Sequence, residues 1–510
     1  MRSPASSLAY LACLACLGVG TAACSDNEAY IIVTVNGRPA VHDATNLKVT
    51  LSNSGTMRTD ELPLTAKMFP VTFSISAPGR SGELGIQVDA VDMNGLLVGR
   101  GEATSTVEMP TAIVTVETAD FVINTDYAGD QFPSDDYEAH GFQVASGTDG
   151  TWTAAYRDRC TAPCNMFARR FDKVGRPVMA QLAAGTNGFP ISTQLTGSLA
   201  TPAIATAGTT TAEVWDFDDP ASSTVGIACR SIDATGTGIP NQTTVATDAS
   251  TDVVSIAPLS NGNFALAWSA FLTTGAIRAA IVKPDCSVLS AATTVSTTAS
   301  ARKVSVASTG QTQGTVMYAF VIDGGVRVRL ANNTNTYASP ADIQFLPKTA
   351  TEVVESVRVA PLGTGFAIVV RWALATGAMG PGRLELYRTT NTGAVLGSSI
   401  LVSNKSGSDF GSSEAFGVAT GSTGMLMIVW HSCLTNGDGS GCGVWGRAFR
   451  TDGTPLGPEF VIPTTTTGDQ TNPSVAALPD DSFAVVWKDD SGTMPDIAGS
   501  AIRGRIIYPN

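Results

Sequence analysis

An all-β chain is expected, a small β-sandwich followed by a seven-bladed β-propeller, and three features of the sequence predict it. A short apolar dipeptide and a large aromatic recur in step seven times. Apolar residues alternate with period two wherever the pattern is strong. A segment ahead of the first repeat matches a segment of the last complete one. Composition agrees: 15% of the 510 residues are charged and 43% hydrophobic, with 51 Gly and 26 Pro, so turns are many and long runs of helix formers are missing.

The repeat comes first. The dipeptides are Val144-Ala145, Ile204-Ala205, Ile256-Ala257, Val306-Ala307, Val359-Ala360, Val418-Ala419 and Val475-Ala476. Eleven to thirteen residues after each Val or Ile stands Tyr156, Trp215, Trp268, Tyr318, Trp372, Trp430 or Trp487, which sets a unit of 50 to 59 residues. Phe264-x-Leu266-x-Trp268 and Phe483-x-Val485-x-Trp487 put apolar groups on one face of a strand. Turn residues such as Asn261-Gly262 stand between the dipeptide and the aromatic, which makes the two strands a hairpin. A third strand follows, as in 444–449, then a Gly turn and a fourth strand, as in 459–462. Four antiparallel strands per unit describe a propeller blade. The seven aromatics are expected to pack between blades rather than to stack on sugars.

The last unit stops after Ile507, without a fourth strand. Phe121-Val-Ile-Asn-Thr-Asp-Tyr-Ala-Gly-Asp-Gln131 matches Phe460-Val-Ile-Pro-Thr-Thr-Thr-Thr-Gly-Asp-Gln470. Residues 121–123 are therefore expected beside 502–507, closing the ring and removing its open edges. The propeller is placed at 119–510. Upstream, 28–118 carries six or seven short alternating strands, such as 30–35, 47–51 and 112–116, which suggest an immunoglobulin-like sandwich.

Three resemblances follow from these residues. Residues 411–507 carry, and 142–410 partly carry, a pattern of Val-Ala, Phe-x-Val-Val-Trp, Gly-Arg-x-Phe and Asp-Gly that resembles the divergent propeller repeats of large secreted and surface proteins of bacteria. That resemblance implies fold and export. At the N-terminus, Arg2 precedes an apolar stretch, 8–20, too short to span a bilayer, which ends in Thr21-Ala-Ala-Cys24. This resembles a bacterial lipobox, which implies a signal peptide over 1–23, a lipid on Cys24 and a linker over 24–27. Thr21 stands where that family usually has Leu, and ordinary cleavage after Ala23 would instead leave Cys24 a free thiol. Ser25 in place of an Asp favours the outer membrane. The 28–118 piece resembles the spacer domains of other bacterial lipoproteins.

Nine cysteines fit an oxidising compartment. Cys13 and Cys16 leave with the signal peptide. Cys160 with Cys164, and Cys433 with Cys442, each bracket a short turn and are expected to form local disulfides. Only three His stand in the chain, so half of a zinc site at 160–164 finds no second cluster. Cys229 falls in a strand and Cys286 in a turn of the repeat, and whether they pair is left open.

Removing Arg2 leaves 30 basic against 44 acidic residues, a net charge of −14, which repels a phosphate backbone, so nucleic acid is not an expected partner. The loops between strands 2 and 3 and between 4 and 1 share one propeller face. That face gathers Asp130, Asp158, Asp216, Asp218, Asp219, Asp438, Asp469, Asp489 and Asp490. Acidic loops could hold calcium, yet none has D-x-D-x-D-G spacing, and solvated loops are the plainer reading; no cofactor is expected. Trp445 lies off the aromatic register and could be an exposed contact. Ser146–Trp152 resembles a sialidase box, but its Asp is one place late and its Thr-Trp one place early. The expected function is a binding or scaffold module of the cell envelope, tethered through Cys24, with a protein or glycan as ligand. The alternative is a polysaccharide hydrolase or lyase using paired carboxylates from different blades.

Overall fold

The computed structural model describes residues 30–64, 68–76, 81–106, 111–124, 142–157, 166–178, 188–192, 202–219, 224–233, 242–247, 254–270, 276–298, 300–310, 314–337, 342–375, 382–403, 416–433, 437–494 and 499–509. Seven strands come first: β1 (Tyr30–Gly37), β2 (Asn46–Asn53), β3 (Thr56–Pro63), β4 (Val71–Ser76), β5 (Glu83–Val91), β6 (Leu97–Thr106) and β7 (Thr111–Thr118). Their alternation buries one face. Ile31, Val33, Val35, Val49, Val88 and Val114 meet in one core, with their chain neighbours turned outward.

The expected immunoglobulin-like sandwich is not what they build. The seven strands form a single mixed sheet in the order β3-β2-β5-β6-β7-β1-β4, curled upon itself. A sandwich needs two separate sheets, and here β7 joins the halves. It pairs with β6 only at Gly99↔Thr118 and Arg100↔Glu117, and runs parallel to β1 from Ile32↔Thr111 to Gly37↔Val116. Glycines allow the crossing. A Cβ on Gly101 would lie 2.3 Å from the Thr115 carbonyl oxygen, and one on Gly99 would lie 2.9 Å from that of Glu117.

Seven four-stranded antiparallel sheets follow, the blades, at 142–190, 203–246, 254–296, 302–346, 352–401, 416–461 and 470–507. Each Val-Ala or Ile-Ala pair lies in the first strand of its blade and each of the seven aromatics in the second. The seventh blade has three strands of its own and takes β8 (Phe121–Val122) as its fourth, through Arg503↔Val122 and Gly504↔Phe121. The Ile123 N–H continues the ladder to the Ile502 carbonyl at 2.8 Å. The ring therefore closes where the repeated Phe-Val-Ile segment predicts. The Phe121 ring enters the seam between last and first blades, 6.2 Å from the Trp152 ring and 6.1 Å from that of Phe171.

Two recurring polar contacts bind blade to blade. In the first strand, Ser474, Ser255 and Ser305 precede the apolar dipeptide. Each hydroxyl accepts the N–H of the next blade's Val144, Val306 or Val359 at 3.1–3.3 Å. An edge N–H that would otherwise go unpaired is thereby satisfied. In the third strand, Arg169, Arg230, Arg447 and Arg505 share one register, opposite Ala154, Glu213, Ile428 and Val485. Their guanidiniums donate to the carbonyls of Ile123, Ile191, Val402 and Ile462, at the end of the preceding blade's outer strand. Arg329 reaches Val295 in the same way. A guanidinium donates in several directions at once, which suits it to a wall of carbonyls.

The sheet meets the propeller at the seventh and first blades. Arg38 lies over the Tyr508 ring at 5.4 Å, Ala40 shares a core with Leu478 and Ile506, and Asp43 faces Arg176 at 3.7 Å. Asp120, between β7 and β8, is half-buried and accepts the N–H groups of Thr464 and Thr465 at 2.9 Å. Burial raises its pKa, and Arg505 and those N–H groups work against the rise.

Candidate functional site

The turns joining first and second strands are tight because each carries a residue that accepts positive φ, such as Gly262 at 84° or Gly424 at 85°. In blades two to six these turns stand around the channel axis on one face of the ring. Together with Thr451 they enclose an open cavity of about 920 Å³. Its wall carries no charged residue. It is made of turn glycines, prolines and hydroxyl side chains such as Thr206, Ser260, Thr309 and Ser422.

The hydroxyls are held in place. Asn333, on the turn between strands 3 and 4 of the fourth blade, donates to Ser260 Oγ at 2.9 Å, which leaves the serine proton to be donated elsewhere. Ser422 Oγ donates to Asp481 Oδ1 at 3.2 Å and keeps its lone pairs. Thr206 and Thr211 share a hydrogen bond of 3.0 Å. At the uninvolved side of the same face, Asp149 faces Arg170 at 3.1 Å. Burial works to raise the Asp149 pKa, but the hydrogen bonds from Thr151 and the charge of Arg170 outweigh it and the carboxyl lies below its usual value.

This cavity lies on the face opposite the one to which the acidic loops pointed. There the carboxylates are engaged in structure. Asp489 is buried against Arg503 at 2.7 Å, with Ser491 and Gln470 on the same carboxylate. Asp469 accepts the Cys442 N–H at 2.8 Å, Asp438 that of Ser440 at 3.2 Å, and Asp490 pairs with Lys488 at 2.9 Å. Burial is the main cause of a raised pKa at Asp490. Asp216 is half-buried within the second strand of its blade, opposite Ile227 in the ladder. Asp130 and Asp158, with the side chains of Asp218 and Asp219, lie outside the described residues. Among the described residues no group of three or more His, Cys, Asp or Glu is placed to hold a metal ion.

The remaining candidates fall as follows. Tyr156, Trp215, Trp268, Tyr318, Trp372, Trp430 and Trp487 are all buried, each in a core shared between neighbouring blades. Trp445 is half-buried against the core that holds Trp430, its ladder partner, rather than fully exposed. Cys433 and Cys442 are bonded. So are Cys229 and Cys286, whose Cα atoms are 5.7 Å apart, and this bridge staples the third strand of the second blade to a turn of the third. Cys24, Cys160 and Cys164 lie outside the described residues. The hydroxyl-lined turns went unnoticed in the sequence because Thr, Ser and Gly are abundant throughout. The signal was present in their recurrence at one place in five successive units.

No protein-family model matches the chain, and no curated protein matches it. Among solved structures it is similar to a protein of unknown function from Dyadobacter fermentans, at 11% identity and a TM-score of 0.46, over 77% of this chain and 99% of that one. It is also similar to the GH93 α-L-arabinofuranosidase of Fusarium graminearum in complex with arabinobiose, at 10% identity and 0.42, over 76% and 98% of the two chains. The NanB sialidase of Streptococcus pneumoniae aligns at 8% identity and 0.41, over 95% of each chain. At such identities the likeness concerns the fold alone.

Proposed function

We propose that the protein is a binding module of the cell envelope, held at a membrane by lipid on Cys24, whose propeller takes a neutral glycan at the mouth of its channel. The uncharged cavity of about 920 Å³, walled by hydroxyls and main chain, carries this reading. Its size falls in the range of small-molecule sites, roughly 300–1,000 Å³. Donors and acceptors fixed by their own partners, as at Ser260 and Ser422, suit the alternating hydroxyls of a sugar chain. Charged ligands would find no counter-charge in this wall. The lipid reading rests on the Thr-Ala-Ala-Cys24 sequence after a short apolar stretch.

The test is a neutral-glycan array probed with the detergent-solubilised full chain, followed by calorimetry on the best ligand. Ser260→Ala and Ser422→Ala should each weaken binding about two- to tenfold, since one hydrogen bond contributes roughly 0.5–1.5 kcal/mol. An array without signal, or affinities indifferent to both substitutions, would remove the glycan from the cavity.

A further inference from the structure

Among the described residues, half of the exposed large apolar side chains, seven of fourteen, belong to residues 30–118, less than a quarter of the chain. Met68, Met93 and Leu96 lie at the end of the sheet nearer the propeller. The other four, Tyr30, Ile32, Met57 and Ile113, gather at the opposite end, and the registers place them there. Tyr30 opens β1, and Ile32 pairs with Thr111 at the start of β7, so Ile113 stands diagonally beside it. Met57 follows the β2–β3 turn, next to Asn53, whose side chain donates to the carbonyls of Ser81 and Glu83 where β5 begins. Glu83 pairs with Thr106 at the same end of β6.

The four are exposed by 45, 48, 71 and 68%. Along β1 the outward residues pass from exposed Tyr30 and Ile32 to half-buried Thr34 and Asn36 towards the propeller. On the outward face of β1 the large exposed apolar residues thus stand at the free end. Scattered apolar residues are ordinary on a protein surface, but four large ones at the same end of one sheet invite a partner.

We propose that this free end rests on the lipid bilayer, with Tyr30, Ile32, Met57 and Ile113 touching its interface. The proposal rests on the reading of Cys24 as the lipid anchor. Six residues lead from Cys24 to Tyr30, and at about 3.5 Å each they allow at most ~20 Å between them. A tether that short brings this end of the sheet to the membrane and no other part. The eight residues of β1 then span about 26 Å before Arg38 meets Tyr508, so the propeller stands clear of the surface.

The test uses the full lipidated chain in phosphatidylcholine vesicles whose acyl chains are brominated, which quench a tryptophan on contact. One variant carries Ile113→Trp, a second Leu289→Trp on an exposed outer strand of the propeller, and both are compared with the parent and with Cys24→Ser. The expected result is retention of the parent on washed vesicles, release of Cys24→Ser, and quenching of the added tryptophan at least twofold stronger at 113 than at 289. Equal quenching at the two sites on retained protein overturns the resting end and leaves the anchor standing. Release of the parent overturns both.

Discussion

Glu213 occupies a position that is apolar in every other blade. Two residues before the aromatic stand Ala154, Leu266, Val316, Val370, Ile428 and Val485. Both Glu213 carboxyl oxygens are buried with no hydrogen-bond partner, although Arg230 stands opposite in the ladder. Burial pushes its pKa well above 4.5, and Arg230, itself committed to the carbonyls of Pro190 and Ile191, only moderates the rise. The unfolded chain therefore ionises first as pH rises, while the folded state keeps its proton. Stability falls from pH 4.5 upward through the folded pKa, by at most about 1.4 kcal/mol per pH unit. Glu213→Gln should be increasingly more stable than the parent between pH 5 and 8 in urea unfolding, and an unchanged pH slope would refute the neutral carboxyl. His431 works at the other limb. Burial first, and the charge of Arg371 second, lower its pKa from 6.5 to about 3. The unfolded state takes up that proton as pH falls below 6.5, so stability is lost towards acid until about pH 3. His431→Gln should flatten that limb in the same titration, and an acid limb as steep as the parent's would count against this account.

At the scale of elements, blades are held by devices of unequal reach. The Cys229–Cys286 bridge closes a loop of 57 residues and the Cys433–Cys442 bridge one of nine. Loop-closure entropy assigns them about 4 and about 2.5 kcal/mol. The pair of variants Cys229→Ala with Cys286→Ala should therefore lower the guanidinium midpoint more than Cys433→Ala with Cys442→Ala, and the reverse order would show that the second and third blades are already locked by packing. The longer bridge was open in the sequence for a physical reason. A strand residue in one blade and a turn residue in the next come within bonding distance only through the spacing of the blades, and Cys286 stands at the positive-φ place, 64°, of the Lys283–Ser287 turn. The arginine clamps, by contrast, recur with the Gly-Arg pattern of the repeat, although the carbonyls they meet belong to other units.

At the scale of the whole molecule, closure depends on two paired residues of β8 and their surroundings. A chain beginning at residue 119 keeps β8 and should elute as a monomer in size-exclusion chromatography. A chain beginning at residue 125 leaves the outer edge of the strand Ala501–Ile507 without its ladder partner and should associate or aggregate. Identical elution of the two chains would show that β8 is dispensable. The N-terminal sheet delivers this strand directly, since β7 ends at Thr118 and β8 begins at Phe121, and Arg505 donates to the Thr118 carbonyl across the junction.

The sequence by itself determined the blades, their number and their closing strand. Those follow from local patterns, alternation within strands and the duplicated Phe-Val-Ile, which need no knowledge of distant contacts. Only the tertiary structure decided that β7 is shared by two halves of one curled sheet, that Cys229 meets Cys286, and that the uncharged cavity opens at the turns between first and second strands. Each depends on how far apart elements lie after packing, a distance that strand periodicity does not encode.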